Sequence, residues 1–331
     1  MQRTEQERQK EWIESYGFRV ERIDALAGDV SQRSYSRVLL VERHSGKQDV
    51  GTPPLSAILS TYPEKIRDSC RRFEISTRVL ELSGVRVPRI LARDCAIGLM
   101  LLEDFGTDTL YCLRRLPWAD LEPFFRTGVD LIRSIQAAPL EVVSELNPPL
   151  DGDLLRLELA KTWDLLFDEP SLRFEAETRR RLREALEAVC ERIAAGRKAV
   201  CHRDFMARNL LPLDGFELGV LDHQDLRIGP EQYDLASLLN DSLFPPPEIE
   251  RRLLDKLGLS PADEELYRHC AVQRTLKAAG TFAAFARSGV DRHLVLIPPT
   301  LSRAAAHLEQ IPEGADLPDE VLEKLRSYRP P

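Results

Sequence analysis

Hydrophobic residues recur with two different periods along the chain, and the change falls near residue 106. Before that point, short apolar runs bounded by turn residues predict β-strands. These runs are 35–41, 56–62, 85–88 and 97–102. Two further stretches predict helices: 4–16, which Thr4 and Glu7 can cap, and 64–83, which Gly84 ends. The first third of the chain is therefore predicted to be a sheet with helices.

After residue 106 the apolar period becomes helical. Helices are predicted at 154–167, 175–195 and 261–288 and after Pro117, where six residues are expected in the core: Leu121, Phe124, Phe125, Gly128, Ile132 and Ile135. A hairpin interrupts the helices, because runs 210–213 and 217–221 flank Asp214-Gly215, a two-residue turn signal. We predict an α+β protein with a domain boundary at Gly106, which separates residues 1–106 from 107–331.

Composition narrows the class of protein. The 331 residues are 43% hydrophobic and 30% charged, which is typical of a soluble globular protein. A formal net charge of -8 argues against a nucleic-acid binder. The six cysteines are scattered without a C-x-x-C pair, so neither a zinc site nor a disulfide framework is expected. No signal-like or membrane-spanning apolar segment is seen, so we expect a cytoplasmic protein without a membrane partner.

The candidate chemistry lies around the hairpin. His202-Arg203-Asp204 follows an apolar run, Asn209 comes five residues after the aspartate, and Asp222 ends the return strand. This is a phosphoryl-transfer pattern, in which an aspartate accepts the proton of an acceptor hydroxyl while an asparagine and a second aspartate hold magnesium. We therefore predict His202, Asp204 and Asn209 as catalytic residues, and Asn209 and Asp222 as metal ligands. The alternative is a surface turn with a solvated carboxylate.

A nucleotide site is predicted in the first domain. The loop before strand 35–41 could cover phosphates with Ser31, Ser34 and a cation, although it is glycine-poor and could also be an ordinary hairpin. A kinase usually carries a phosphate-binding lysine on the next strand, and 56–62 contains none. We expect Arg33 to replace it in preference to Arg37, Lys47 or Lys65, because arginine can bind phosphate oxygens through two parallel N–H groups.

Other candidate positions follow from these elements. Glu74, with Glu81 as the alternative, is the candidate partner of the phosphate-binding cation, or else a solvated helix residue. The run that includes Glu103 and Phe105 is predicted to read adenine through its backbone. Asp234 is expected either to cap a helix or to brace the catalytic loop through its backbone amides. Six residues are candidate substrate contacts: Asp204, Arg208, Gln224, Asp225, Glu158 and Asp241.

The residues with candidate chemistry also resemble a known family. The likeness rests on His202-Arg203-Asp204 with Asn209, on 221–225, 229–230 and 233–238, and on 273–282. These strings resemble the aminoglycoside phosphotransferase and choline kinase superfamily, and within it the bacterial anomeric kinases of N-acetylmuramate and N-acetylglucosamine. Two positions depart from the pattern: the phosphate lysine is missing, and His223 stands where an aromatic residue is commoner.

The resemblance implies a two-lobed protein-kinase-like fold, with ATP between a sheet-rich lobe and a helical lobe. Asp204 would be the base, Asn209 and Asp222 the magnesium ligands, and Asp234 the brace. The expected reaction is ATP-dependent phosphorylation of the anomeric hydroxyl of an N-acetylated amino sugar. Two alternatives stay open: a kinase for an aminoglycoside or amino alcohol, and a nucleotide-binding pseudokinase.

Overall fold

The computed structural model describes residues 4–26, 33–41 and 55–330 of the chain. The chain divides into two compact units. The first comprises Met1–Thr107 with Gly219–Asp225, and the second comprises Asp108–Leu218 with Leu226–Pro331. Ser31 and Lys47, which the sequence placed near the nucleotide phosphates, lie outside the described residues.

The first unit is built on an antiparallel five-stranded sheet with strand order β1-β2-β3-β5-β4. Its strands are β1 Arg19–Ala25, β2 Ser34–Val41, β3 Leu55–Thr61, β4 Ile90–Asp94 and β5 Leu99–Glu103. Successive residues of a strand face opposite sides of a sheet. Leu101 accordingly packs in one hydrophobic cluster with Ile13, whereas Met100 and Leu102 pack in a second cluster with Phe73. The sheet therefore has a core on both faces.

Helices cover the two faces of this sheet. Helix α1 spans Glu5–Ser15, and Thr4 and Glu7 form the predicted capping box in front of it. Helix α2 spans Asp68–Leu82 and follows a separate 3₁₀-helix, Glu64–Ile66, so the single helix predicted over 64–83 is wrong in its first turn. Tight 3₁₀ turns are common at helix ends. Gly84, with φ of +75°, stands just after α2, where the sequence placed the helix stop.

The strand predicted at 85–88 is wrong, because these residues form no ladder in the described structure. Pro88 has no N–H to donate, and the Arg86 carbonyl accepts instead from the Val220 N–H at 2.8 Å. Strand β4 takes the place beside β5. The turn between β4 and β5 needs a glycine, because Gly98 has φ of +75° and a Cβ there would lie 2.2 Å from the Tyr62 carbonyl oxygen.

A disulfide bond joins Cys70 of α2 to Cys95, with an S–S distance of 2.05 Å. This corrects the expectation that no disulfide forms. The two cysteines are 25 residues apart, and their spacing matches no recurrent motif. They meet because α2 packs on the sheet, and a spacing rule cannot detect a contact that depends on tertiary packing. The bond ties α2 to the turn that follows β4.

The second unit is mostly helical, as predicted. Its helices are α3 Trp118–Gln136, α4 Leu140–Ser144, α5 Gly152–Glu158, α6 Ala160–Leu165, α7 Ala176–Ala195, α8 Tyr233–Asn240, α9 Pro247–Leu257, α10 Pro261–Arg287, α11 Ile297–Leu308, α12 Pro312–Ala315 and α13 Asp319–Ser327. Two short sheets pair β6 Lys198–Cys201 with β9 Arg227–Pro230, and β7 Leu210–Pro212 with β8 Leu218–Val220. The predicted hairpin around Asp214-Gly215 is therefore confirmed, but a 3₁₀-helix, Asp214–Phe216, stands in place of the predicted two-residue turn.

Most of the predicted core of α3 is buried. The exception is Phe124, which is half-buried and packs edge-on against Phe216 with ring centroids 5.1 Å apart. The single helix predicted over 154–167 is instead two helices, α5 and α6, which are separated at Leu159.

Helix α10 is the longest helix described and packs against α6, α7, α8 and α11. Its contact with α6 is close, because a Cβ on Gly280 would lie 2.5 Å from the Thr162 hydroxyl oxygen. Its middle is buried even at polar positions, including Gln273 and Arg274. Buried charge needs partners, so this segment indicates a functional site. Among the described residues, no helix combines the length and apolar character that crossing a bilayer requires.

Candidate active site

The predicted catalytic loop follows strand β6 and folds back on itself. The Asp204 carbonyl oxygen accepts a hydrogen bond from the Met206 backbone N–H at 3.0 Å and another from the Asn209 side-chain amide at 2.9 Å. The Asn209 backbone N–H donates to the Met206 carbonyl at 2.8 Å. Because Asn209 uses its amide nitrogen here, its side-chain oxygen remains available as an acceptor.

Asp234, near the start of α8, binds the first residues of this loop. Its carboxylate oxygens accept the backbone N–H groups of His202 at 2.6 Å and Arg203 at 2.8 Å. The side chain is fully buried, so these bonds replace water that cannot reach the donors. Arg203 has φ of +78°, in the left-handed region that non-glycine residues seldom occupy. The predicted bracing role of Asp234 is confirmed.

The Asp204 carboxylate lies beside two cations of α10. Its Oδ1 is 3.1 Å from Arg274 Nη2 and 3.7 Å from Lys277 Nζ. Burial disfavours a charged carboxylate, but the positive charges of Lys277 and Arg274 outweigh burial and hold the pKa of Asp204 well below its usual range. Asp204 is therefore ionised at neutral pH, with part of its side chain still exposed.

Glu158, the last residue of α5, is a counter-ion for the same group of cations. Its Oε1 lies 2.6 Å from Arg203 Nη2 and 3.1 Å from Lys277 Nζ, and its side chain is only 7% exposed. Its Oε2 accepts a hydrogen bond from Gln273 Nε2 at 3.2 Å. The carboxylate is thus occupied by groups of the chain itself, whereas the sequence suggested a substrate contact.

Arg274 and Lys277 are two charged residues beside Asp204 that the sequence did not reveal. The run 273–282 contributed to the family resemblance, but no role was assigned to these two side chains. One signal was present: two cations three residues apart share a helix face, and the residues around them are largely apolar. Such a pair needs buried counter-charges, which here are Asp204 and Glu158.

Two further predicted residues are enclosed. His202 has no exposed surface, and its ring lies 5.7 Å from that of Phe205. Its catalytic role stays a prediction. Asp241 is 3% exposed, accepts a hydrogen bond from the Ser242 hydroxyl and lies 3.8 Å from Arg274 Nη2. Asp241 therefore places a second carboxylate near the same Arg274 nitrogen that contacts Asp204.

In the first unit, the structure brings together three residues that the sequence singled out separately. Arg33 Nη2 lies 2.8 Å from Asp222 Oδ1, and Arg33 Nη1 donates to Gln224 Oε1 at 2.8 Å. Gln224 Nε2 also donates to Asp222 Oδ1 at 3.0 Å. The guanidinium packs over the ring of Tyr35, 5.7 Å from its centroid. The cation chosen to replace the missing lysine thus contacts the predicted metal ligand.

His223 has a clear structural role in the first unit. Its Nε2 is hydrogen-bonded to the Thr77 hydroxyl at 2.7 Å, and its ring lies 4.4 Å from that of Phe73. Both partners are on α2. The histidine therefore fixes the 3₁₀-helix His223–Asp225, which includes the predicted substrate residue Asp225, to that helix.

Of the remaining nucleotide-site predictions in the first unit, Glu103 and Phe105 contact one guanidinium, whereas Glu74 has a different partner. Glu74 pairs with Arg93 of β4 at 2.7 Å, and this ion pair replaces the predicted pairing with a phosphate-binding cation. Glu103 binds the guanidinium of Arg86 at 2.6 Å. Phe105 lies under the same guanidinium, with Arg86 Cζ 4.7 Å from its ring centroid. Ser34 is exposed at the start of β2.

The two predicted metal ligands suit magnesium by their chemistry. They lie in different units, Asn209 in the second and Asp222 in the first. No cluster of three or more His, Cys, Asp or Glu side chains with metal-binding geometry occurs in the part of the chain that is described. Magnesium typically takes one or two protein oxygens together with substrate phosphates. The Asp222 carboxylate is 41% exposed and the Asn209 side chain has an amide oxygen, so each by itself supplies a kind of oxygen that magnesium binds.

Comparisons with a family model and with known proteins point to the same family. Residues 24–269 match the model of the phosphotransferase enzyme family. An N-acetylmuramate/N-acetylglucosamine kinase of Pseudomonas aeruginosa is 30% identical over 76% of this chain and 80% of its own length. A protein of the same name from Caulobacter vibrioides is 28% identical over 87% of this chain and 88% of its own.

Solved structures with the same fold are more distant in sequence. An aminoglycoside phosphotransferase in complex with gentamicin has a TM-score of 0.60 and 14% identity, over 97% of this chain and 99% of that one. A choline kinase from Streptococcus pneumoniae has a TM-score of 0.58 and 15% identity, over 98% of this chain and 99% of that one. The chain therefore has the protein-kinase-like fold of these enzymes.

The bracing role of Asp234 can be tested by measuring the free energy of unfolding of its variants. Asp234→Ala leaves the N–H groups of His202 and Arg203 buried without an acceptor, and we expect a loss of about 2 to 4 kcal/mol in the free energy of unfolding. Asp234→Asn keeps one acceptor oxygen and should lose less. Urea unfolding followed by circular dichroism gives both values. Asp164→Ala, which alters an exposed acid of α6, is the control. Equal stability of Asp234→Ala and this control would rule out the brace.

Proposed function

The chain belongs to the phosphotransferase enzyme family, and we propose that it transfers the terminal phosphoryl group of ATP to the anomeric hydroxyl of an N-acetylated amino sugar. The family acts on hydroxyl groups of small molecules. The sugar is suggested by the relatives named N-acetylmuramate/N-acetylglucosamine kinases. The products would be ADP and a sugar 1-phosphate.

The charge around Asp204 is the observation that favours this substrate class. Arg274 and Lys277 lie within 4.0 Å of the proposed base, so positive groups border the place where an acceptor hydroxyl would sit. Arg274 and Lys277 occupy the carboxylates of Asp204 and Glu158, so these two acids do not offer an unpaired counter-charge to a cationic acceptor such as an aminoglycoside or an amino alcohol. A neutral or acidic sugar is compatible with these cations. The acidic residues that had suggested a cationic substrate are largely paired within the chain, as Glu158 shows.

Asp204 would orient the acceptor hydroxyl and receive its proton. A carboxylate with a low pKa is a weak base, yet phosphoryl transfer passes through a loose transition state in which the hydroxyl needs little activation before the bond to phosphorus forms. As the new O–P bond forms, the bond from phosphorus to the ADP oxygen breaks and the hydroxyl proton moves to Asp204. Lys277 and Arg274 keep the carboxylate in its ionised form until then.

We assign the donor side to Asn209, Asp222, Arg33 and Phe105. Magnesium, when bound, neutralises charge on the phosphates, and the oxygens of Asn209 and Asp222 are the proposed ligands. Arg33 is the proposed phosphate-binding cation. Its contact with Asp222 supports this role, because the ion pair keeps the guanidinium beside a metal ligand. Phe105, which is fixed by Arg86, is proposed to contact the base of the nucleotide.

The proposal is tested by measuring ADP release with N-acetylmuramate, N-acetylglucosamine, an aminoglycoside and choline as acceptors. We expect turnover with an amino sugar, and phosphorus NMR of the product should show phosphate on the anomeric oxygen. Asp204→Asn should lower kcat by roughly 10² to 10⁴, the usual size of a general-base effect, while binding of an ATP analogue persists. Turnover confined to the cationic acceptors, or a fully active Asp204→Asn variant, would contradict the proposal.

The cation pair predicts a shift in the pH profile. The pKa of Asp204 is lower than usual, so the active ionised form persists as pH falls below the range in which ordinary carboxyls are protonated. Lys277→Met removes one positive charge, which raises that pKa toward its ordinary value. The acid limb of log kcat against pH should therefore move to higher pH. Lys161→Met, an exposed lysine on α6, should leave the limb in place. Identical profiles for both variants would exclude this role.

The proposed role of Arg33 is tested against Lys65, another cation that the sequence offered for phosphate binding. Arg33→Ala should raise the KM for ATP by roughly tenfold or more, because a charge-assisted contact to phosphate is lost. Lys65→Ala changes an exposed side chain of the 3₁₀-helix Glu64–Ile66 and should change KM little. Initial rates at varied ATP and saturating sugar give both values. The assignment fails if Lys65→Ala has the larger effect.

A further inference from the structure

Arg208 stands on the catalytic loop, four residues after Asp204. Its guanidinium lies between two aromatic rings: Arg208 Cζ is 5.1 Å from the ring centroid of Tyr111 and 5.2 Å from that of Phe282. The Tyr111 backbone N–H donates to the Ala207 carbonyl at 3.1 Å, which ties this ring to the loop. Arg208 is therefore held in a fixed place relative to the proposed base.

Two donors of this guanidinium have no acceptor. Arg208 Nε and Nη2 are buried, and neither has a hydrogen-bond partner among the described residues. These two N–H groups lie on one edge of the guanidinium and point the same way, which is the arrangement that binds both oxygens of a carboxylate. Burying the donors of a charged group without an acceptor costs free energy. An acceptor supplied by a ligand would remove that cost. Arg208 as a residue is half-buried, whereas these two donor atoms are themselves buried.

The surroundings of Arg208 favour an anion. His293 stacks on Phe282 with ring centroids 5.5 Å apart. Burial, together with the guanidinium groups of Arg208 and Arg292, lowers the pKa of His293, so its ring is neutral at neutral pH. Asp241, the acid that acts on the same histidine, is engaged by Ser242 and Arg274. No carboxylate of the described residues pairs with Arg208.

We propose that Arg208, held between Tyr111 and Phe282, forms a subsite that binds the carboxylate of an acidic sugar substrate. This inference rests on the proposed function. N-acetylmuramate carries a lactyl ether that ends in a carboxylate, and N-acetylglucosamine has a hydroxyl at that position. The subsite would therefore make Arg208 a specificity residue that separates two acceptors which are alike at the anomeric carbon.

Steady-state kinetics with the two sugars test the subsite. Arg208→Met should raise the KM for N-acetylmuramate by roughly 10- to 100-fold, the usual size of a lost charge-assisted pair. The KM for N-acetylglucosamine should change by less than about threefold, within the range of a lost neutral contact. Arg208→Lys keeps the charge but not the paired N–H groups, so it should show a smaller loss that is also confined to N-acetylmuramate.

Arg114→Met is the matched control. The Arg114 guanidinium packs over the same Tyr111 ring, at 4.8 Å from its centroid, but the residue is exposed. It should leave both KM values unchanged. A substrate change tests the subsite without a mutation, because the methyl ester of N-acetylmuramate lacks the charge and should bind wild-type enzyme no better than N-acetylglucosamine.

The outcomes separate this inference from the proposed function. Equal loss for both sugars in Arg208→Met, no loss for either, or equal affinity of the acid and its ester would overturn the subsite. Calorimetric binding of N-acetylmuramate that Arg208→Met weakens, without phosphorylation of either sugar, would support the subsite and refute the kinase activity on them. Phosphorylation of both sugars with no effect of Arg208 would do the reverse.

Discussion

A single buried carboxylate sets the geometry on which the candidate site depends. Asp234 accepts the backbone N–H groups of His202 and Arg203, and Arg203 takes a left-handed conformation there. A chain with this bend turns sharply just before Asp204. The direction of the Asp204 side chain therefore follows from a contact with α8. Without that contact, an unfavourable φ angle and two unmet donors would favour a different loop.

The electrostatics of the site follow from this placement. Asp204 is directed toward α10, where Arg274 and Lys277 supply charge, and Glu158 balances the excess through Arg203 and Lys277. A carboxylate surrounded in this way is a weak base that is ionised at neutral pH. That combination suits the phosphoryl transfer that we propose, which needs an oriented hydroxyl more than an early proton abstraction.

Features that depend on residues close together in the chain could be predicted from the sequence, whereas features that depend on tertiary packing could not. The loop with Asp204 and Asn209, the hairpin around Gly215 and the capping box at Thr4 depend on neighbours in the chain, so their patterns are legible. The bracing of the loop was expected from the resemblance and was confirmed. Lys277 at Asp204 and the bond between Cys70 and Cys95 depend on how α10 and α2 pack, which no local pattern encodes. The predicted strand at 85–88 is wrong for the same reason, because the Arg86 carbonyl accepts a hydrogen bond from the distant Val220 N–H and not from a neighbouring strand.

The arginines of the site also differ in what they can still bind. Arg203 and Arg274 are each paired with a carboxylate of the chain, Glu158 and Asp204 respectively. A ligand carboxylate that approached Arg274 would have to compete with Asp204, the proposed base. Arg208 offers two donors that no described residue engages. Binding an acidic group there would cost no existing ion pair, which is why we propose that Arg208 recognises substrate charge and that Asp204 acts in catalysis.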